Sequence, residues 1–310
     1  MVSHLSIPEK NATAETSSLT PRTDFDFPGI EVDIPGLQIG VAEYEEGPTG
    51  CTVFVFPKGA VTAVDIRGGM VGQVEADYQY HHAICFAGGS LLGLEAVSGV
   101  RVALLSQWKP QNPPRIPLVG GAIIWDWFER DNTIYPDKAL GRAATVSAQQ
   151  GRFYYGKRGA GRWAGVGQGG AFRQIGETKI GVFTVVNALG DIIDRQGKVR
   201  TRDKHHPIEK LEERLKKEGT SPSEDTGKHT ILTIVVTNQK WSHRELDQIG
   251  RQVHSSMARA IQPFHTMQDG DLLFTATTSA VENKALKSPT DFGLIASELA
   301  WDAVLNSLGE

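Results

Sequence analysis

Apolar residues gather along this chain in short unbroken runs and in stretches with helical spacing, so strands and helices are both expected. The runs TVFVF at 52–56 and VTAVDI at 61–66 read as strands joined by turn chemistry at Pro57-Lys58-Gly59, with Gly68-Gly69 closing the second. Residues 88–100 (GGSLLGLEAVSGV) open on two glycines and carry Leu91, Leu92, Leu94 and Val97, which predicts a buried helix behind a tight turn. Pro136 starts a second short helical piece, PDKALGRAA. Residues 151–170 are dense in glycine, and a segment so poor in side chains makes a loop whose backbone approaches something closely. The run IGVFTVVN at 180–187 does not alternate and reads as a strand buried on both faces.

The C-terminal part is more regular. Ser242 and Glu245 have capping-box spacing, and Leu246, Ile249, Val253 and Met257 follow at helical intervals up to Pro263. Residues 272–278 read as a strand, and a last helix from about Thr290 is expected to bury Leu294, Ile295, Leu299 and Leu305. Ahead of this part the chain changes character. Residues 200–228 (RTRDKHHPIEKLEERLKKEGTSPSEDTGK) are dense in charge; 208–218 mixes signs as a solvated helix does, and 219–228 is linker by composition. Directly after it comes TILTIVVT from Thr230, apolar on both faces. A polar linker thus runs straight into a core strand, with a threonine at the junction.

Composition narrows the class. A chain of 310 residues suits one large domain or two small ones, and buries enough surface to need no disulfide or metal staple. The formal net charge of -4 gives no basic field for nucleic acid. No apolar run approaches the ~18 residues that span a bilayer, and the N-terminus lacks the apolar core of a signal peptide, so a cytoplasmic protein with no membrane partner is expected. Residues 1–24, rich in Ser, Thr, Pro and charge, read as a disordered tail. Cys51 and Cys85 sit in apolar stretches as buried small hydrophobes. His81-His82 and His205-His206 are adjacent pairs, without the spacing that puts two ligands on one helix face, so no metal is expected.

The junction at Thr230 can carry chemistry. A threonine hydroxyl is a poor nucleophile until a base takes its proton. Placed first in a chain, threonine brings its own base, an α-amino group with a reference pKa of roughly 7.7–8.0. That requires a threonine heading a rigid strand behind a segment that can be cut, and Thr230 meets both conditions. Asp269 and Asp271 lie two residues apart and point to the same side of an extended backbone, where like-charge repulsion would raise one of their pKa values. Each feature also has a plain alternative: a threonine opening a buried strand, and an Asp-Gly turn.

Seven blocks decide between these readings: GVAEYEEGPTG (40–50), AVDIRGG (63–69), HAIC-AGG (82–89), YPDKALGRAA (135–144), VHSSM (253–257), IQPFHT (261–266) and DGD-LF (269–274). In order and spacing the chain resembles, over residues 25–308, the self-processing nylon-oligomer hydrolases, which belong with the DmpA-type aminopeptidases. The resemblance implies an α/β fold, a four-layer α-β-β-α sandwich of the N-terminal-nucleophile hydrolase type. It implies a single catalytic domain that cuts itself between His229 and Thr230, giving a large chain (25–229, with the polar linker at about 200–229) and a small one (230–310). Thr230 matches the family's nucleophile, Asp269 and Asp271 its pair of carboxylates, and Asn187 an asparagine that contacts the nucleophile or the oxyanion. No cofactor is implied. The expected substrate is a small-molecule or oligomeric amide, 6-aminohexanoate oligomers first, and the expected assembly is a homotetramer.

Three positions depart from the family pattern. His229 stands where asparagine precedes the cut. Trp125, in IIWDWFER, replaces a tyrosine lining the substrate site and keeps a donor and a flat apolar face. The family's lysine after Gly159-Ala160-Gly161 is missing, and Arg162 is the nearest cation to approach the substrate in its place. His254 and His265 fall in matching blocks and read as satisfied buried histidines. Two other functions stay open: a DmpA-type aminopeptidase or β-aminopeptidase needing a free amino end, and a non-catalytic oligomeric binding protein that retains the fold.

Overall fold

The computed structural model describes residues 19–26, 28–108, 115–127, 130–201, 207–218, 229–282 and 286–309. The first half runs β1 (Gly29–Val32), β2 (Gln38–Tyr44), β3 (Thr49–Ile66), β4 (Gln73–Val74), β5 (Tyr80–Ala87), α1 (Glu95–Gln107), β6 (Val119–Ile123) and α2 (Lys138–Val146). It continues with β7 (Gly151–Tyr154), β8 (Gly167–Ile175), β9 (Thr178–Asn187), β10 (Asp191–Ile192) and α3 (Pro207–Glu218). The last part is β11 (Thr230–Gln239), α4 (His243–Ser256), β12 (Ile261–Gln262), β13 (Leu272–Val281) and α5 (Pro289–Asn306).

The strands run in the order β4-β6-β5-β3-β13-β11-β9-β8, with β2 also on β3. This ribbon folds into two layers because β3 serves both: its first half pairs with β2, its second half with β13, and β5 spans the bend. Three apolar cores define the layering. One lies between the β-layers, where Phe54 meets Phe86 and Phe183 and where Phe86 meets Phe274. A second packs β8, β9, β11 and β13 on α4 and α5, and a third packs β2, β3, β5 and β6 on α1 and α2. The result is the expected four-layer α-β-β-α sandwich.

Local chemistry sets the helix starts. Asp137 accepts the N–H of Leu140 at the head of α2, Ser242 and Glu245 close the capping box of α4, and Ser288 caps α5 ahead of Pro289. The two cysteines are free and buried.

Four expectations need correction. Pro57-Lys58-Gly59 is no hairpin turn; β3 runs through it with a shift of register between Val55 and Ala60, Gly59 at φ 77, and the Tyr80 hydroxyl donating to the Lys58 carbonyl. A residue without an N–H beside one free to adopt positive φ makes a bulge as readily as a turn. Leu91 and Leu92 lie in a 3₁₀ turn ahead of α1 and are exposed; α1 buries Val97 as expected, together with Ala96, Val100 and Leu104. Leu294 of α5 is exposed, while Phe292, Ala296, Leu299, Ala300, Ala303 and Val304 form the buried face. The tail boundary at 24 also moves: residues 1–18 lie outside the described residues, but Arg22 exchanges backbone hydrogen bonds with Glu43. The expected linker at 219–228 and the His205-His206 pair lie outside the described residues as well.

Candidate active site

β11 occupies the middle of its layer, parallel to β13 on one side and antiparallel to β9 on the other. Its first residue, Thr230, is fully buried and stands opposite Asn187 at the end of β9. On the other side His229 pairs with Asp269 and Leu232 with Leu272, so the register sets Thr230 against Gly270 and Ile231 against Asp271. Side chains alternate across a strand, which puts the Thr230 hydroxyl on the face where Gly270 has no side chain, and both carboxylates on the opposite face. A Cβ built on Gly270 would lie 3.0 Å from Thr230 Oγ1. The glycine between two aspartates thus makes room for the hydroxyl.

The atoms around the His229–Thr230 bond are engaged one by one. The carbonyl oxygen of His229 accepts the N–H of Gly270 at 2.7 Å. Thr230 Oγ1 accepts the N–H of Trp125 at 3.2 Å. Asn187 donates from Nδ2 to the Trp125 carbonyl at 2.7 Å and accepts the Gly165 N–H on Oδ1 at 2.7 Å. The Trp125 indole donates to the Met70 carbonyl at 2.7 Å, and the Met70 N–H donates to the Asp269 carbonyl at 2.9 Å. Trp125 therefore meets the threonine through its backbone, and its ring braces the 68–70 loop.

The segment carrying Trp125 is fixed from behind. Ser90, at φ 54, accepts the N–H groups of Asp126 and Trp127 on its hydroxyl, each at 3.2 Å. Asp126 accepts the Gly89 N–H at 2.7 Å and pairs with Arg130 at 2.8 Å, both side chains almost wholly buried. Burial pushes the Asp126 carboxyl above its ordinary value even with the Arg130 guanidinium beside it.

The two carboxylates differ. Asp271 accepts the Ile231 N–H on Oδ1 at 2.8 Å, and on Oδ2 both the N–H and Nδ1 of His265, at 3.1 and 3.0 Å. Asp269 accepts the Thr266 N–H on Oδ2 at 2.7 Å, while its Oδ1 is buried without a hydrogen-bond partner. Burial first, and the neighbouring Asp271 charge second, raise the Asp269 carboxyl above its usual range. Their hydrogen bonds run to backbone N–H groups and an imidazole rather than to the Thr230 hydroxyl.

Arg162 lines an open cleft of about 700 Å³ that also includes Trp163, Gly165 and Ala188, next to the partners of Asn187. Its guanidinium is held by Glu43 at 3.3 Å and Glu45 at 2.6 Å, so it braces the cleft wall. The ammonium of Lys157, ahead of the glycine motif, donates to the carbonyls of Ala164 and Gly165. It thereby fixes the loop whose N–H holds Asn187. Gly270, Ser90, Asp126 and Lys157 were all missed in the sequence, because each acts through a contact that only register or long-range packing creates.

A family model described as peptidase family S58 matches residues 31–310. The chain belongs to peptidase family S58. It is therefore a hydrolase of amide bonds. Over 311 aligned residues it is 42% identical to the 6-aminohexanoate-oligomer endohydrolase of Paenarthrobacter ureafaciens, covering 91% of this chain and 85% of that protein. The enzyme of that name from Kocuria sp. matches at the same identity and coverage. Among solved structures, the L-aminopeptidase D-Ala-esterase/amidase of Ochrobactrum anthropi superposes with a TM-score of 0.62 at 14% identity, over 92% of this chain and 88% of that one. That likeness carries the family's variant of the N-terminal-nucleophile fold. No helix among the described residues is long and apolar enough to cross a membrane.

The site also carries an acid-sensitive group. His254 of α4 is fully buried, its ring donating from Nδ1 to Asp65 at 3.0 Å, and burial pushes its pKa down to about 4. An unfolded histidine titrates near ~6.5, so between there and about 4 the unfolded chain binds the extra proton and native stability falls as pH falls. The loss from this group is at most about 3 kcal/mol and stops growing below pH ~4. A His254→Gln variant keeps a donor for Asp65 and does not titrate. Denaturant unfolding at pH 7 and pH 4.5 is expected to show a smaller drop for the variant than for the parent.

Proposed function

We propose that the chain activates itself by cutting before Thr230 and then hydrolyses 6-aminohexanoate oligomers through an acyl-enzyme on that residue. The observation that carries this is the polarised carbonyl of His229, held at 2.7 Å by the Gly270 N–H directly before a buried threonine hydroxyl. In the first step Thr230 Oγ attacks that carbonyl carbon. The C–N bond breaks, an ester forms, and the hydroxyl proton passes to the leaving nitrogen. Water then hydrolyses the ester, leaving a carboxylate on His229 and a free amine on Thr230. Nothing in this sequence requires an asparagine before the cut, so His229 is compatible with it.

In the mature site the Thr230 amine accepts the hydroxyl proton as the oxygen attacks the substrate amide. Asp271 holds the next peptide through the Ile231 N–H, which fixes the end of the strand that carries the new amine. Asn187 carries two amide hydrogens, of which the Trp125 carbonyl takes one, and the second can serve the developing oxyanion. The open cleft beside Asn187 suits an extended, flexible oligomer.

The direct test is the intact mass of purified protein over time, with fragments beginning at Met1 and Thr230 as the expected result. Assaying a cyclic oligomer against a short peptide amide then separates endo-hydrolysis from aminopeptidase action, since a ring offers no free amino end. Gly270→Ala places a methyl group 3.0 Å from Thr230 Oγ1, 3.0 Å from the Met70 carbonyl oxygen and 3.1 Å from Trp125 Cδ1. Such crowding of a reacting atom is expected to slow cutting by roughly 10- to 100-fold. Cutting at the parental rate in a folded variant would remove Gly270 from the site.

A further inference from the structure

We propose that His265 is the positioning residue for the catalytic end of β11, locking the Asp271 carboxylate from a left-handed backbone with His254 and Asp65 behind it. The inference rests on the role proposed above for Thr230 and extends it to a residue that the sequence presents only as a core histidine.

The geometry is specific. His265 sits at φ 62, a conformation that side chains other than glycine adopt at a cost. A turn alone is served by glycine there. What the histidine adds is a second donor: its N–H and its Nδ1 converge on the same oxygen, Asp271 Oδ2, whose other oxygen holds the Ile231 N–H beside Thr230. The ring is clamped between Phe264, stacked at 3.7 Å between centroids, and His254, edge-on at 4.3 Å. His254 in turn bonds Asp65, which pairs with Arg67 at 2.6 Å.

Carboxylates only accept, so both imidazoles carry a proton on Nδ1. Both Nε2 atoms are buried without a hydrogen-bond partner. Two unpaired nitrogens and a strained backbone meet at one spot, and what that spot maintains is a fixed carboxylate under the nucleophile's strand. Against its own burial, the hydrogen bond from His254 and the guanidinium of Arg67 hold the Asp65 carboxyl below its usual range, so it stays an acceptor for His254. The groups packed on His265 are Asp271 on its own loop and His254 from α4, with Asp65 of β3 and Arg67 just past that strand behind His254.

Two substitutions separate backbone from ring. His265→Gly tolerates φ 62 without strain and removes the ring donor; His265→Asn tolerates the same φ and restores a side-chain N–H. The glycine variant is expected to cut itself and turn over substrate at least 10-fold more slowly. Its KM should stay within about threefold, so that the loss falls on kcat. The asparagine variant is expected to recover most of the rate. A glycine variant matching the parent in kcat overturns the proposal, and so does an asparagine variant no better than glycine. If the parent itself remains uncut and inactive, the reading of Thr230 fails instead. Imidazole ¹⁵N spectra of the Thr230→Ala protein are independent of turnover. They are expected to show His265 protonated on Nδ1, and a proton on Nε2 with Nδ1 bare overturns the inference even where a variant fails to fold.

Discussion

Replacing Thr230 by alanine is expected to leave one continuous polypeptide that hydrolyses no amide above background. The hydroxyl is the atom that attacks in both reactions proposed for this site. Its loss therefore abolishes self-cleavage and lowers turnover by at least ~10⁴-fold, the scale on which removal of a covalent nucleophile is felt. Folding should survive, because the hydroxyl's partner is a single Trp125 N–H at 3.2 Å and the methyl group of alanine fits the same buried position. Thr230→Ser keeps the oxygen and is expected to cut. Intact mass spectrometry reads both variants, and an alanine variant that still splits between 229 and 230 sinks the assignment.

Asn187→Ala is expected to reduce kcat by roughly 10²- to 10³-fold with little change in KM, the magnitude of one lost oxyanion donor. The same truncation strips a partner from the part-buried Trp125 carbonyl, costing about 1–3 kcal/mol, and from the Gly165 N–H, which is exposed to water and costs less. Asn187→Asp separates the two effects. It can still accept from Gly165 but offers no N–H to the Trp125 carbonyl or to an oxyanion, so activity should stay low while part of the stability returns. Thermal unfolding beside steady-state kinetics distinguishes them; an aspartate variant with parental kcat removes Asn187 from the chemistry.

The elements around the site were legible where one local signal sufficed. The abrupt passage from polar linker to TILTIVVT marked the head of β11, and the capping box marked α4. Thr230, Asn187, Asp269 and Asp271, singled out along 85 positions of chain (187 to 271), are brought to one end of three adjacent strands. The misses share a cause. Pro57-Lys58-Gly59 holds the ingredients of both a turn and a bulge, and only the pairing of both halves of β3 with β5 decides between them. α5 is apolar nearly all round, so no phase singled out Leu294 as its exposed position. Arg162, singled out for its place after Gly161, lines the cleft beside Asn187 with its guanidinium held by two glutamates from β2 and the loop behind it. The opposition of faces, with the hydroxyl towards Gly270 and the carboxylates on the other side, follows from strand register, which spacing alone cannot supply.

The central place of β11 has a consequence for the life of the molecule after the cut proposed before Thr230. Its neighbour β9 belongs to the segment before residue 229 and its neighbour β13 to the segment after it, so the pieces share one hydrogen-bonded sheet. Hydrolysis of one peptide bond therefore releases nothing. It does turn a unimolecular folding problem into a bimolecular one: a processed molecule that unravels must meet a separate polypeptide to rebuild its middle strand. Endurance of the working enzyme then depends on the height of the barrier to opening, with renaturation a poor means of repair.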